Sequence, residues 1–362
     1  MYRAARDALG PAALATAALT KAIVDRSLRY TSDRERLARP ADRTGDLAAR
    51  AAFFTIADAM KIGVAFRELA NRGALPAARP LRVVDLGAGC GAMTLGLLGH
   101  SEVPLAVTAI DRDAGALAIA GAAVREFATR RGLSASFVAR SDDVRRAQLP
   151  PADVVVIGTL LNELAPADSL ALVERAVAAV AQDGAVIVIE PALRDTSRAL
   201  HEIRDAVLAR GSAHVFAPCT RHSAPCPALA DPSDWCHEDR ALQLPPRTAE
   251  LARLTHLRDG GMKFAYLVLR RHPLALVEAG DTAWRIVGAP RLAKGKLELI
   301  GCAAHGRTTL RLLKRNRDFA NRDFERAERG DVLVVEAAPE HDRVEILGLT
   351  RVTRVKPAGP AG

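Results

Sequence analysis

Leu81 to Leu98 reads LRVVDLGAGCGAMTLGLL. Arg82-Val83-Val84-Asp85-Leu86 is a β-branched run of the kind that fills a buried parallel strand, and three glycines at alternate positions, Gly87, Gly89 and Gly91, follow it. Glycine there permits positive φ and lets a ligand approach the bare backbone. Met93, Leu95, Leu97 and Leu98 then take helical spacing, so the unit is strand, tight turn, helix. The helix's free N–H groups and positive dipole end face whatever lies over the turn.

Two cofactor classes use that geometry. Gly87-Ala88-Gly89-Cys90-Gly91-Ala92 also satisfies a loose dinucleotide fingerprint, so the glycines alone leave both open. Asp85 moves the balance, because a carboxylate at the strand end can receive the ammonium group of S-adenosylmethionine and would repel a pyrophosphate. D-x-G-x-G-x-G resembles the first motif of class I methyltransferases.

The 362 residues suffice for two or three domains with a sizeable core. A net charge of +9 with pI near 9.7 favours a polyanionic partner, nucleic acid being the commonest, over plain solubility charge. No stretch is apolar enough for a membrane span, and the N-terminal 30 residues lack the apolar core of a secretory signal. Five cysteines point to a reducing compartment and to thiol chemistry or metal binding rather than disulfides.

Before the glycine turn, residues 1–79 read as a helical cap that Gly73 and Pro76 close. After it, strands are expected at Leu105–Ile110, Ala135–Arg140, Asp153–Gly158 and Ala185–Glu190, the last after a turn at Asp183-Gly184. Asp111 ends the second strand, where a carboxylate holds ribose hydroxyls or caps the next helix. Asp142 and Asp143 follow the third strand, either meeting an adenine amino group or serving the turn. Asn162 and Glu163 follow the fourth, at the end where a doubly wound sheet puts its chemistry, and either orient a substrate or cap the next helix. No general base stands out, yet methyl transfer can proceed mainly through in-line positioning. A helix over Leu193–Ala209 and a late strand over Met262–Arg270 close the sheet.

Val215 to His237 reads as an ordered, proline-rich loop carrying Cys219, Cys226 and Cys236 in a C-x6-C-x9-C spacing. Cys302 is a fourth thiol far downstream, while Cys90 suits the glycine turn simply as a small residue. Four thiols are the count of a [4Fe-4S] cluster or a structural zinc. The wide spacing leans toward the cluster, with zinc and unligated thiols as alternatives and His222 and His237 as loop hydrogen-bonding residues.

Further on, short strand-like runs suggest a small, barrel-like β domain. Arg307 to Arg329 is basic with Phe319 and Phe324 interleaved, suited to RNA backbone contact and base stacking or to a solvated connection. The tail from Lys356 to Gly362 reads as disordered.

P-C-x6-C-P, then D-W-C-H, then K-F-x-Y-L, then a distant Cys-x-x-x-Gly with a basic stretch, resembles the methyltransferase-like mitochondrial small-ribosomal-subunit proteins and their bacterial homologues. Leu81 to Val332 carries the likeness. Departures are Arg329-Gly330-Asp331, where the family pattern has Trp-Gly-Asp, and Phe319, where it has Tyr. The resemblance implies a [4Fe-4S] cluster on Cys219, Cys226, Cys236 and Cys302, and a role in small-subunit assembly with binding of ribosomal RNA.

Together these readings give an α/β chain: a class I methyltransferase (Rossmann-like) doubly wound sheet with an N-terminal helical cap, a cysteine-rich loop and a small C-terminal β domain. Expected boundaries are 1–79, 80–275 with the cysteine-rich insertion at 211–240, and 276–362. Asp85, Gly87, Gly89, Gly91, Asp111, Asp142 and Asp143 would hold S-adenosylmethionine. The expected partner is small-subunit ribosomal RNA, with no DNA and no membrane, and the chain is expected to be a monomer. It would sit in the bacterial cytoplasm or, in a eukaryote, the mitochondrial matrix. A non-catalytic assembly factor and an NAD(P)-linked iron–sulfur oxidoreductase are the competing functions.

Overall fold

The computed structural model describes residues 1–31, 42–75, 79–258, 260–278, 280–337 and 343–355. Pro76 and the tail from Lys356 lie outside the described residues.

Among the described residues five α-helices come first: α1 (Tyr2–Leu9), α2 (Thr16–Thr31), α3 (Arg43–Ala49), α4 (Thr55–Ala59) and α5 (Ile62–Asn71). Arg50–Phe54 bridges α3 and α4 as a π-helical turn, a form that often marks functional sites. Alternation then begins with β1 (Leu81–Leu86), α6 (Ala92–His100), β2 (Leu105–Asp111), α7 (Ala114–Arg131), β3 (Ala135–Ser141), β4 (Ala152–Gly158), α8 (Pro166–Ala179), β5 (Val180–Pro191) and α9 (Arg194–Ala209). The sheet continues with β6 (His214–Ala217) and β7 (Glu238–Arg240), and after α10 (Pro246–Thr255) with β8 (Met262–Arg270). Its order is β3-β2-β1-β4-β5-β8-β6, parallel through β5, with β8 antiparallel to both neighbours and β7 paired to one end of β8.

Strands β1, β4 and β5 are almost wholly buried because apolar layers cover both faces. One layer puts α5 and α6 on the sheet; the other puts α8 and α9 there. Gly96 lets α6 close on α4, since a Cβ would sit 2.1 Å from the Ala59 carbonyl oxygen.

Three expectations change here. Val215–Ala217 belongs to edge strand β6, so the loop begins later and β8 is an inner strand. Apolar Val215 buries in the layer with α9 and Phe216 in the opposite layer with α5, and burial outweighs the nearby prolines. Asp183-Gly184 lies within β5 at a register shift against β4 rather than in a turn before it. There the missing Cβ of Gly184 admits the Asp153 carbonyl.

The second sheet contains β9 (Ala283–Ile286), β10 (Arg291–Ala293), β11 (Lys296–Ala303), β12 (Gly306–Leu313), then, after the short α11 (Arg322–Glu325), β13 (Val332–Val335), β14 (Arg343–Ile346) and β15 (Val352–Val355). Its order is β14-β12-β11-β9-β13-β15, with β10 added to β11. Trp284, Leu299, Leu310, Phe324 and Ile346 fill its core. Phe324 is therefore a core residue and not part of a basic surface.

The two sheets meet at a buried polar node. Arg285 of β9 donates to Glu68 of α5 at 2.8 Å, to Glu238 of β7 at 2.9 Å and to the Tyr266 hydroxyl of β8 at 2.6 Å, while Tyr266 donates to Glu68 at 2.7 Å. Burial alone would neutralise Glu238, but Arg285 and Arg240 hold its carboxyl below the usual range. Arg285→Ala leaves buried Glu68 with only the Tyr266 hydroxyl and Glu238 with Arg240 alone, and is expected to cost about 3–5 kcal/mol. Urea unfolding checks this, and an unchanged midpoint would show that the node does not hold the sheets together.

Candidate functional site

Gly87, Gly89 and Gly91 take φ values of 69°, 50° and 85°. The turn is pinned at both ends: Gly87 N–H donates to the Ile110 carbonyl at 2.8 Å and Gly91 N–H to the Ala88 carbonyl at 2.7 Å. At its centre Asp111 accepts from Gly89 N–H with one oxygen and from Asp113 N–H with the other, each at 2.8 Å. Asp113 then caps α7 through Ala116 N–H at 3.0 Å and pairs with Arg50. The capping role read for Asp111 thus falls to Asp113.

Asp85 lies beneath the turn, wholly buried. One oxygen accepts from the Thr94 hydroxyl at 2.6 Å and the Thr94 N–H at 3.2 Å; the other has no partner among the described residues. Burial pushes its carboxyl up to about 6 against the pull of the Thr94 bonds.

Across the turn, β4 ends at Gly158, whose missing Cβ leaves room for Met93. Thr159 follows with φ 55°, a strained conformation for a β-branched residue, and a buried hydroxyl that has no partner among the described residues. Glu190 at the end of β5 holds the next segment, accepting from the N–H groups of Leu160 and Leu161 at 2.9 Å and of Asn162 at 3.3 Å. Asn162 and Glu163 sit on a single 3-10 turn, and Ala165 is the N-cap residue of α8, so neither caps that helix. The amide of Asn162 is buried without a partner among the described residues, whereas Glu163 reaches the cavity, its carboxyl raised by burial and opposed by Arg26 and Arg50.

These pieces wall one cavity of about 890 Å3 at the carboxyl ends of β1, β2 and β4. Gly87, Gly89, Asp111, Asp143, Thr159 and Glu163 line one side; Arg26, Tyr30, Asp46 and Arg50 of the helical cap line the other. Asp143 is on the wall and pairs with Arg145, which holds its carboxyl well below the usual range. Asp142 is off the wall and accepts from Asp143 N–H at 2.8 Å, a turn role. Sequence reading missed the cap's contribution: Arg26 and Arg50 carry no motif and reach the cavity only because the cap folds back over the turn.

The four outlying thiols also come together. Cys219, Cys226 and Cys236 line a small cavity with Cys302 of β11, between the two sheets. Arg198 on α9 organises the loop by donating to the carbonyls of Ala228, Asp231 and Asp234 at 2.7–2.9 Å. Arg204, nearly two turns on, reaches the carbonyls of Ala224 and Arg221. Backbone N–H groups of Cys226 and Cys236 donate to Asp205 and His201, and Thr220 donates to the Cys302 carbonyl at 2.9 Å. Burial, aided by the neighbouring thiols, pushes Cys226 up to about 11 and Cys302 up to about 12. Among the described residues no three His, Cys, Asp or Glu side chains converge closely enough to hold a single metal ion. His222 bonds the Val215 carbonyl and His237 meets Arg329, as loop roles require.

The sheet order, with one antiparallel strand inserted next to the edge, and a cavity over a glycine turn at the switch point define a class I methyltransferase-fold protein. The chain belongs to the mitochondrial small ribosomal subunit Rsm22 family, whose sequence profile matches residues 51–333. No curated protein sequence matches it. Among solved structures it is similar to magnesium protoporphyrin IX methyltransferase from Synechocystis PCC 6803, with 12% identity, TM-score 0.37, and 68% of this chain and 95% of that one covered. The plantazolicin methyltransferase BamL gives 11%, 0.39, 70% and 97%, and the mitomycin 7-O-methyltransferase MmcR gives 17%, 0.34, 68% and 61%. Likeness at this level says nothing of substrate. Among the described residues no helix is long and apolar enough to cross a membrane.

Burial raises Glu190 to about 7 despite its three N–H donors. An acid raised on folding binds its proton more tightly when folded, so its contribution is full below about 4.5 and is lost as pH rises toward 7. Glu190→Gln is expected to remove that part of the decline. Urea midpoints from pH 4.5 to 7.5 check it; parallel curves for the two proteins would show that Glu190 titrates alike in both states.

Proposed function

We propose that this protein binds S-adenosylmethionine over the Gly87–Gly91 turn, holds a [4Fe-4S] cluster on Cys219, Cys226, Cys236 and Cys302, and acts on small-subunit ribosomal RNA. The observation that carries the reading is the cavity over the turn, which has the volume of a cofactor site with space for an acceptor group beside it. Membership of a small-ribosomal-subunit family and a net charge of +9 support an RNA partner.

The residues present fit a sulfonium cofactor. Asp111 stands on the cavity wall where ribose hydroxyls would bind, Asp143 is the carboxylate on that wall available to the adenine, and Asp85, wholly buried beneath the turn and off the wall, supports the turn from below with one oxygen unpartnered among the described residues. Bound S-adenosylmethionine supplies an electrophilic methyl group. Glu190 fixes the backbone of residues 160–162 beside the cavity, the cap covers the turn, and Glu163, whose carboxyl burial raises, stands on the cavity wall to accept a proton from the acceptor atom.

The donor set also fits the cluster: four soft sulfurs around one cavity, with Arg204, Arg221 and Arg307 near enough to offset the negative charge of four thiolates. Bound there, the cluster would cross-link the loop to β11. Its ligands must lose protons that burial holds on, so loading is expected to release protons and to favour high pH.

Thermal unfolding with added ligand tests the pocket. S-adenosylmethionine should raise the midpoint, NADPH should not, and Asp111→Ala should weaken S-adenosylmethionine binding by tenfold or more, on the order of the worth of one charged hydrogen bond. Stabilisation by NADPH alone would replace this reading with an oxidoreductase. Anaerobic purification should yield about four iron and four sulfide per chain, fewer in Cys236→Ser; about one zinc instead would make the site a structural zinc centre. Labelled methyl incorporation into small-subunit RNA separates an enzyme from an assembly factor that binds without turnover.

A further inference from the structure

Phe319 is 75% exposed, an uncommon place for a phenylalanine ring. Its setting is rigid. Asn321, wholly buried, donates to the carbonyls of Asn316 at 2.8 Å, Leu347 at 3.1 Å and Gly348 at 3.4 Å, and accepts from Asp318 N–H at 3.0 Å. Asp318 in turn accepts from Ala320 N–H at 2.9 Å, and Asn316 donates to the Ile346 carbonyl at 3.2 Å. The fold thus ties the Lys314–Asn321 segment to the turn after β14 and holds the ring out in solvent.

The Arg322 guanidinium lies 4.0 Å from the ring centroid. Among the described residues Lys314, Arg315 and Arg322 have no carboxylate partner, while the nearby acids are occupied within the domain. Glu325 pairs with Arg317, Asp323 accepts from Arg354 N–H and Asp318 serves its own turn. Exposed Leu347 and Leu349 flank the same corner.

We infer that this corner is a stacking site for an unpaired base of single-stranded nucleic acid. A guanidinium on an exposed ring and free cations around it suit a base with its phosphates, since every base presents a flat face and every phosphate a negative charge. A duplex hides its base faces and meets only the cations. The basic run read from the sequence thereby narrows: Arg307 pairs with Asp234 and Arg311 with Glu345, leaving Lys314 to Arg322 as the contact. The inference rests on the RNA reading above and specifies where on the protein an unpaired base is held.

The test uses the full chain with a fluorescent unstructured RNA oligomer, a blunt RNA duplex of equal length and anionic phosphatidylserine vesicles. The oligomer should bind more tightly than the duplex. Phe319→Ala should weaken the oligomer by about tenfold, with duplex binding and salt slope unchanged, and Phe319→Trp should restore it. Arg322→Ala should lower the salt slope by about one. If the wild type binds RNA and Phe319→Ala binds it equally well, the corner is not the base site and the wider RNA reading stands. If the wild type binds neither RNA, both fail; vesicle binding that depends on Phe319 would assign the corner to a lipid surface and overturn the inference.

Discussion

The buried guanidinium of Arg285 is the interaction on which the two halves of this protein depend. It sits on the second sheet and takes its carboxylates from the cap and the first sheet, Glu68 and Glu238. Such a node is stable only when every member is present, because each charge alone is expensive to bury. Its geometry has a further effect. Cys302 is the register partner of Arg285 across β11 and β9, so the contact that docks the second sheet also brings the fourth thiol to the loop.

The cavity over the glycine turn is built by the same economy of means. Asp111 and Glu190 spend their oxygens on backbone N–H groups of the two segments that form its floor, and Asp85 braces the first turn of α6. Carboxylates that look like ligand contacts in sequence are also the groups that shape the loops. Two polar atoms stay unpartnered among the described residues, the second oxygen of Asp85 beneath the turn and the hydroxyl of Thr159 on the cavity wall, and they are hydrogen-bonding capacity that the fold leaves unused.

Positive charge is handled differently in different places. Arg198 and Arg204 face inward and hold the cysteine loop by its carbonyls. Arg307 is neutralised by Asp234 of the cysteine loop and Arg311 by Glu345 across β12 and β14. Arg315 and Arg322 stay unpaired among the described residues, beside an aromatic ring that Asn321 holds in place. Net charge by itself therefore says little about where a polyanion would dock.

The sequence determined the parallel core and the turn at its centre, because β-branched runs, alternate glycines and helical spacing are local signals that burial on both faces reinforces. Four thiols and a basic segment were equally plain as composition. Tertiary structure alone decided the rest. Whether Phe324 or Phe319 faces solvent depends on which one the second sheet can bury. Whether Val215–Ala217 is loop or strand depends on an edge that β8 offers from fifty residues away. That Asp113 and not Asp111 caps α7, and that Arg26 and Arg50 face the cavity, follow from distances through space. Local pattern fixes the periodicity of a segment; the partner of a buried charge is fixed by what else the fold brings beside it.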